Sequence, residues 1–346
     1  MTERPGFIAV FGAVAALCVA MGAVFLYGEF GASVSAVSPV TIEVKRGESM
    51  TSLAQRLHRE GVLQNPGFLR VLAILRGDTG RIKAGEYVLT GGESPSELLD
   101  FLVSGKAKFI SLTVPEGFSV KDVARRIERI ELGNGERLIA LARDPEFIAS
   151  LHLPFELKIP TLEGMLFPET YYIHRGVDSA RLLTVMVKEY KRRAQAFLEQ
   201  NAHRVNLSPY QVLILASIIE KETGLDSERN RISAVFHNRL KARMLLGSDP
   251  TVIYGIENFD GNLTRSHLRT ASPYNTYKKR GLPPTPIANP GWASLKAAVM
   301  PARVDYLYFV GKGDGSHYFS SDLKTHNRAV WKYQKRPHRK RRTSGG

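Results

Sequence analysis

The segment Val212–Thr223, VLILASIIEKET, is an apolar run that ends at a carboxylate, Glu220. Successive helical residues rotate by about 100°, which places the small residues Ala216 and Ser217 on the face of Glu220 and leaves room for a molecule to lie against it. Burial disfavours the charged form of a carboxyl group and raises its pKa above the ordinary value of about 4.3. A carboxylic acid that stays neutral near pH 7 can donate a proton to a leaving oxygen.

A second interpretation of Glu220 is structural. The residue would then lie at the exposed end of a core helix and pair with Arg231 or Arg239, since ion pairs within a fold also perturb carboxyl pKa values. Glu222 points almost opposite to Glu220 around the helix and is predicted to be a surface charge. The segment alone leaves both interpretations of Glu220 open.

Two stretches after this helix are rich in side chains that suit sugar recognition. They are LLGSDPTVIYG at Leu245–Gly255, with a predicted turn around Pro250, and SPYNTYKKRGLPPTPIANPG at Ser272–Gly291. Aromatic rings stack on pyranose faces, amides and hydroxyls bridge sugar hydroxyls, and proline fixes the backbone where side chains must be placed accurately. Loops of this composition also serve structural packing, so both roles stay possible.

The helix that carries Glu220 has a clear predicted start. Ser208 is a natural N-cap, Pro209 suits the first turn, and Gln211 completes the spacing of a capping box. Further along the chain, the glycine-rich stretch Gly311–Asn327 lacks the spacing of a phosphate-binding loop and predicts a hairpin turn.

An internal repeat organises the first half of the chain. IEVKRGESMTSLAQRL from Ile42 matches LTVPEGFSVKDVARRI from Leu112, and each copy predicts a short strand, a glycine turn and a helix capped by serine. The first copy continues through a second helix to a strand at Ala84–Thr90. This order is similar to the LysM carbohydrate-binding module, and a spacer without glycan binding is the alternative.

The N-terminal segment Phe7–Tyr27 has 21 consecutive residues without a charge. At about 1.5 Å per residue it is long enough to span a bilayer core of roughly 30 Å. Arg4 precedes the segment and the next basic residue is Lys45, so the charge bias predicts a cytoplasmic N-terminus with the rest of the chain outside. Cys18, the only cysteine, lies in this segment, which excludes intrachain disulfides and multi-cysteine metal sites.

Composition limits the possible partners. The chain has 346 residues and a formal net charge of +15, and its length allows two or three globular pieces. The basic tail after Trp331 contains no acid and is predicted to be a disordered extension. We predict no nucleic-acid partner and no cofactor, and no metal because the histidines lack a metal-ligand spacing.

Five motifs together resemble one known family. They are EGMLFPETY, ASIIEKET, SDPTVIYG, SPYNTY with GLPPTPIANPG, and YLYFVGKGDGSHYFSSDLKTHNRAV. In order and spacing they resemble the endolytic murein transglycosylases of the MltG (YceG-like) family over roughly residues 40–334. That family also has an N-terminal membrane anchor and a LysM-like subdomain, so the resemblance implies an α+β fold with both. Gly247 departs from the pattern, where the family more often has Gln.

The resemblance implies that Glu220 is the catalytic residue of a lyase that cleaves the MurNAc–GlcNAc β-1,4 bond in nascent peptidoglycan strands. Glu220 would protonate the glycosidic oxygen and then take the proton of the MurNAc 6-hydroxyl, which attacks to give a 1,6-anhydro end and terminates elongation. A glycosidase that uses water normally needs a second carboxylate. The resemblance also implies a single-pass inner-membrane protein with a periplasmic body, acting near peptidoglycan synthases.

Further residues of these motifs are candidates for substrate binding. They are Glu163, Phe167, Glu169, Tyr171, Ser217, Ser248, Asp249, Thr251, Tyr254, Tyr274, Asn275, Thr276 and Tyr277. Asp249 is either a turn residue before proline or a second carboxylate. Glu163 and Glu169 either line the glycan groove or have a capping or pairing role.

The predicted organisation follows from these observations. It comprises a cytoplasmic N-terminus (1–6), a transmembrane helix (7–27), a linker (28–40), a LysM-like subdomain (41–105), a second small α+β subdomain (106–175), a catalytic domain (176–334) and a basic tail (335–346). Two other functions remain open. One is a peptidoglycan-binding scaffold without catalysis, and the other is a muramidase that uses Glu220 with Asp249 or Glu163.

Overall fold

The computed structural model describes residues 40–89, 91–105, 109–153, 159–174 and 177–335. The predicted transmembrane segment 7–27, the linker before Val40 and nearly all of the basic tail lie outside these residues. Among the described helices, none is both long and apolar enough to cross a membrane. Internal contacts divide the chain into two compact units, one of residues up to 112 with Tyr171–Arg175, the other of Thr113–Thr170 with the chain from Gly176.

The first unit has its own apolar core. Its elements are β1 (Val40–Val44), α1 (Met50–Arg59), α2 (Pro66–Leu75), β2 (Gly85–Leu89) and α3 (Pro95–Ser104). β1 pairs with β2 in an antiparallel register that places Ile42 opposite Tyr87, and buried leucines such as Leu53 and Leu98 complete the core. The predicted order strand–helix–helix–strand is confirmed, while LysM-like glycan binding stays a prediction.

The second copy of the repeat begins with β3 (Phe109–Thr113), which pairs with β4 (Thr170–His174). Gly117 has φ +77° and Gly47 in the first copy has φ +78°, a left-handed conformation that is strained for residues with a Cβ. Ser119 caps the following helix, as Ser49 caps α1. The predicted repeat of strand, glycine turn and serine-capped helix is therefore confirmed.

The second unit is mainly helical. Its elements are α4 (Val120–Arg129), α5 (Gly135–Leu141), α6 (Pro145–Ser150), α7 (Ser179–Tyr190), a π-helical segment Lys191–Gln195, α8 (Ala196–Asn201), a 3-10 segment Ala202–Val205, α9 (Pro209–Glu222), α10 (Asp226–Lys241), α11 (Asp249–Tyr254), α12 (Arg265–Arg269), α13 (Trp292–Val299), β5 (Tyr308–Gly311), β6 (His317–Ser320), α14 (Leu323–Val330) and a π-helical segment Trp331–Lys335. β5 and β6 form the predicted hairpin. The described chain is thus a mixed α+β fold, as predicted.

Residues 113–170 pack with the chain after 176 instead of forming a body with 106–112. The backbone N–H of Gly117 donates to the carbonyl of Asn289 at 2.9 Å, and the N–H of Asn289 donates to the carbonyl of Phe118 at 2.7 Å. The division by contacts therefore differs from the predicted boundaries 106–175 and 176–334, because these hydrogen bonds join segments far apart in the sequence.

Helix α9 lies at the centre of the second unit. The capping box of Ser208 and Gln211 is present, with Pro209 in the first turn, so the predicted start is confirmed. All residues from Val212 to Ile219 are buried, which a helix achieves when other elements cover it on every side. The last turn, with its two glutamates, is where this buried helix reaches polar surroundings.

Candidate active site

Glu220 lies in a tight polar network at the end of α9. Its side chain is 7 % exposed, and its Oε1 lies 3.7 Å from Nη2 of Arg229, whose side chain is 5 % exposed. The backbone N–H of Gly291 donates to Glu220 Oε2 at 3.0 Å. The structural interpretation named the wrong partners, Arg231 and Arg239, because α10 turns Arg229 towards Glu220.

A second carboxylate, Glu116, shares this network. It accepts the backbone N–H of Trp292, and both burial and the charge of Glu220 raise the pKa of its carboxyl group. A Cβ added to Gly291 would lie 1.8 Å from Glu116 Oε1, so the carboxyl group of Glu116 occupies the space that glycine leaves. Two acids thus bind adjacent N–H groups at the start of α13. Sequence reasoning missed Glu116, whose only signal is a polar residue in the turn of the second repeat.

The space predicted beside Ala216 and Ser217 is filled by the chain itself. Ser217 is fully buried, donates its hydroxyl to the carbonyl of Ile214 at 2.7 Å and accepts the N–H of Ile287 at 3.0 Å. The proline-rich loop that contains Ile287 therefore packs on this face of α9. The predicted room for a ligand there is wrong, and Ser217 anchors the loop.

Glu222 has the environment that was predicted for Glu220. The side chain is half-buried and accepts a hydrogen bond from the hydroxyl of Ser248. Burial raises the pKa of Glu222 to about 7; the Ser248 hydroxyl and Arg239 act in the opposite direction, and the charge of Asp249 acts in the same one. The prediction of a surface charge is wrong because later segments of the chain cover this side of α9 as well.

Glu222 lines an open cleft with a volume of about 1440 Å³. Asp249 and Tyr277 line the same cleft, and the Tyr277 hydroxyl donates to Asp249 Oδ1 at 2.7 Å. Gly247, the departure from the family pattern, also belongs to the lining. The cleft thus brings an acid with a raised pKa together with a second carboxylate and an aromatic ring, which is the chemistry expected of a sugar site.

The predicted turn around Pro250 is the helix α11, because proline is tolerated in a first helical turn. Behind the cleft, hydrogen bonds connect α11 and the preceding Ser248 to the segment Asn275–Tyr277. The backbone N–H of Ser248 donates to Thr276 Oγ1 at 3.0 Å, and the hydroxyls of Thr251 and Thr276 are 2.8 Å apart. Thr251, Thr276 and Asn275 are buried, so they position the cleft wall and do not line it.

A second cluster of predicted residues surrounds Glu163, which is buried. The N–H of Val120 donates to Glu163 Oε1 at 3.0 Å and the hydroxyl of Tyr254 donates to its Oε2 at 3.0 Å. Burial is the main cause that raises the pKa of Glu163 to about 8. The ring of Tyr274 packs against that of Tyr254 at 4.9 Å between centroids. These contacts support the capping interpretation of Glu163.

The remaining candidates do not line the cleft. Phe167 is buried with the guanidinium of Arg193 6.0 Å from its ring centre, and Glu169 Oε2 lies 3.1 Å from Arg193 Nη2. Tyr171 belongs to the first unit and is buried. In the described ranges, no group of three or more His, Asp or Glu side chains is arranged to hold a metal ion.

These motifs have counterparts in known proteins. A sequence profile of the YceG-like family matches residues 42–332. The chain belongs to the YceG-like family. This YceG-like chain is 32 % identical over 329 residues to a Bacillus subtilis (strain 168) protein named endolytic murein transglycosylase, covering 90 % of this chain and 91 % of that protein.

Two further proteins are similar to this YceG-like chain. A Streptococcus pneumoniae (strain D39) protein, also named endolytic murein transglycosylase, is 25 % identical over 319 residues, which span 84 % of this chain and 58 % of that relative. The 2.6 Å crystal structure of a YceG-like protein from Listeria monocytogenes superposes with a TM-score of 0.58 at 31 % identity, covering 85 % of this chain and 99 % of that one.

Proposed function

We propose that the chain is an endolytic transglycosylase of peptidoglycan glycan strands with Glu222 as its acid–base residue. Family membership and the names of the relatives make it an enzyme of the lyase class with a lytic transglycosylase role. The observation that carries the residue assignment is the position of Glu222 on the wall of an open cleft, with a pKa of about 7. Such a group is partly protonated at neutral pH, as a general acid requires.

Glu220, the catalytic residue implied by the sequence resemblance, is the second candidate. Its oxygens face Gly291 N–H and Arg229, and it is absent from the lining of the described cleft around Glu222. In this proposal Glu220 is a positioning residue, because it holds the end of α9 against the start of α13 and thereby fixes the backbone that carries Glu222.

The proposed reaction needs a single carboxyl group. Glu222 donates its proton to the glycosidic oxygen between MurNAc and GlcNAc while the bond from that oxygen to C1 of MurNAc breaks. The resulting carboxylate then accepts the proton of the MurNAc 6-hydroxyl, and O6 forms a bond to C1. The products are a free GlcNAc 4-hydroxyl and a 1,6-anhydro-MurNAc end, no water is consumed, and Glu222 is protonated again.

We also propose that the cleavage ends the elongation of nascent strands outside the cytoplasm. The support is the uncharged segment 7–27, with Arg4 before it and Lys45 as the next basic residue, which suits an inner-membrane anchor and a periplasmic body. Peptidoglycan synthases are proposed partners because they produce the nascent strands. A fusion of alkaline phosphatase to the C-terminus should be active if this topology is right.

Asp249 favours one alternative function. It lines the same cleft as Glu222, and two facing carboxyl groups are the arrangement by which a glycosidase activates water. A muramidase built on Glu222 and Asp249 would release reducing ends instead of anhydro ends. A scaffold without catalysis would leave the strands intact.

The test uses the full-length protein in detergent with uncrosslinked glycan strands and mass spectrometry of the new ends. We expect 1,6-anhydro ends, which are lighter than reducing ends by one water, from the wild type and from the control Glu146→Gln, an exposed acid outside the cleft. We expect none from Glu222→Gln, and residual cleavage with lower thermal stability from Glu220→Gln.

Each other outcome has a clear meaning. Loss of cleavage in Glu220→Gln at unchanged stability, with Glu222→Gln still active, would make Glu220 the acid. Reducing ends would establish the muramidase. Binding without cleavage by the wild type would establish the scaffold.

A further inference from the structure

Three basic side chains lie on the wall of the Glu222 cleft without a polar partner among the residues that the structure describes. Arg243, Lys278 and Arg280 all line this cleft and are exposed. Within the described residues, their side chains make no ion pair or hydrogen bond. By contrast, Arg239 in the same cleft donates to the carbonyls of Leu307 and Leu246. We infer that Arg243, Lys278 and Arg280 bind carboxylates of the stem peptides that substitute the glycan strand.

The charges of the cleft support an anionic ligand. Its lining contains four arginine and lysine residues, Arg239, Arg243, Lys278 and Arg280, against two acids, Glu222 and Asp249, so basic groups are in excess. A cleft lined by an excess of one charge attracts ligands of the opposite charge and raises their local concentration.

The backbone of Arg243 provides an independent observation. Arg243 follows α10 with φ +53°, and the N–H groups of Arg243 and Met244 donate to the carbonyls of Leu240 and Arg239 at 3.1 and 2.8 Å. This is the Schellman arrangement, whose left-handed position is usually glycine. A residue with a Cβ costs about 1 kcal/mol there, and local strain of this kind points to a functional side chain.

The chemistry of the substrate identifies the anion. This inference depends on the proposed function, because it takes a peptidoglycan strand as the ligand. The sugar rings are neutral, so the negative charges are the carboxylates of the stem peptides and, on a nascent strand, the diphosphate of its lipid carrier. Diphosphates are commonly bound by backbone N–H groups of a helix N-terminus or a glycine-rich loop. Here the cations are side chains on two segments, Arg243 after α10 and Lys278 with Arg280 on a loop. Such an arrangement suits carboxylates that are separated from one another.

The test compares two forms of one substrate. Uncrosslinked strands are released from their lipid diphosphate by mild acid, and half of them are treated with carbodiimide and ammonia to convert peptide carboxylates to amides. The full-length enzymes are the wild type, Arg243→Gly, Lys278→Gln, Arg280→Gln and the control Lys279→Gln. Lys279 has the same charge and exposure as its neighbours but does not line the cleft.

We expect each cleft variant to lose about three- to five-fold in kcat/KM on carboxylated strands, the size expected for an exposed ion pair. On amidated strands the same variants should match the wild type, and Lys279→Gln should match it on both. Arg243→Gly should also raise the melting temperature, since glycine fits the left-handed position, so its loss of activity would not reflect unfolding.

Two results would overturn the inference. One is equal cleavage of carboxylated and amidated strands by the wild type, and the other is an equal loss on both substrates in the cleft variants. If wild-type enzyme cleaved strands only while they still carried the lipid diphosphate, the anion would be the diphosphate, which also contradicts the inference. Failure to cleave any of these strands would instead reject the proposed function on which the inference depends.

Discussion

The neighbours of Glu222 act on its carboxyl group in opposite directions. The hydroxyl of Ser248 donates to the carboxylate and lowers the pKa of Glu222, whereas the charge of Asp249 raises it. A general acid is active while it is protonated, so the activity should fall as the pH rises through about 7, the pKa of Glu222. Removing the Ser248 hydroxyl and removing the Asp249 charge should therefore shift the pKa of Glu222 in opposite directions.

We predict that Ser248→Ala moves this fall to higher pH and that Asp249→Asn moves it to lower pH. The measurement is kcat/KM for release of anhydro ends between pH 5 and 9, recorded for both variants and the wild type. A profile that stays in place in both variants would show that another group, Glu220 for example, supplies the proton. A lower rate without a shift would indicate only a structural role.

At the scale of the elements, the carboxyl groups of two glutamates bind the first N–H groups of helix α13. Gly291 donates its N–H to Glu220, Trp292 donates to Glu116, and carboxylates at a helix start are favourable because of its partial positive charge. The side chain of Glu116 lies where a Cβ of Gly291 would be, so a substitution at either residue should remove the same contact.

We predict that Gly291→Ala and Glu116→Ala each lower the free energy of unfolding by about 1 kcal/mol, the usual contribution of a helix cap. Because both changes remove one contact, the double variant should be no less stable than the worse single variant. Urea unfolding of the four proteins measures this. Additive losses would mean that the two residues contribute independently.

Local signals in the sequence predicted much of the fold, because they act between neighbours in the chain. The capping box of Ser208 and Gln211, the two serine-capped helices and the hairpin all follow from residues within a few positions of each other. The environment of Glu222 did not follow, since it depends on Ser248 and Asp249, which the fold brings to α9 from another segment. Helical rotation correctly separates Glu220 from Glu222, but it cannot tell which side stays open.

At the scale of the whole molecule, buried Glu163 links distant segments and ties stability to pH. It accepts hydrogen bonds from Val120 and Tyr254, and burial raises its pKa to about 8 in the fold, against an ordinary value of 4.5. Between these values the folded protein binds the proton that the unfolded chain has released. The stability contributed by this protonated group is therefore full below about pH 4.5 and is lost as the pH rises to about 8.

We predict that Glu163→Gln flattens this part of the pH dependence, because glutamine is neutral at every pH and has nearly the same shape. From pH 5 to 8 the wild type should lose on the order of 4 kcal/mol more than the variant. Chemical unfolding at several pH values measures the difference. Parallel curves for the two proteins would assign the pH dependence to other groups.

The split of the first unit along the chain has a consequence for its synthesis. Residues 171–175 belong to this unit, although Thr113–Thr170 before them belong to the second. The core of Ile42–Leu102 is complete once those residues have emerged from the ribosome, so this part is able to fold early. The pairing of β3 with β4 must wait until the segment between them has been made. During that interval β3 has an open edge that a chaperone or a second nascent chain is able to occupy.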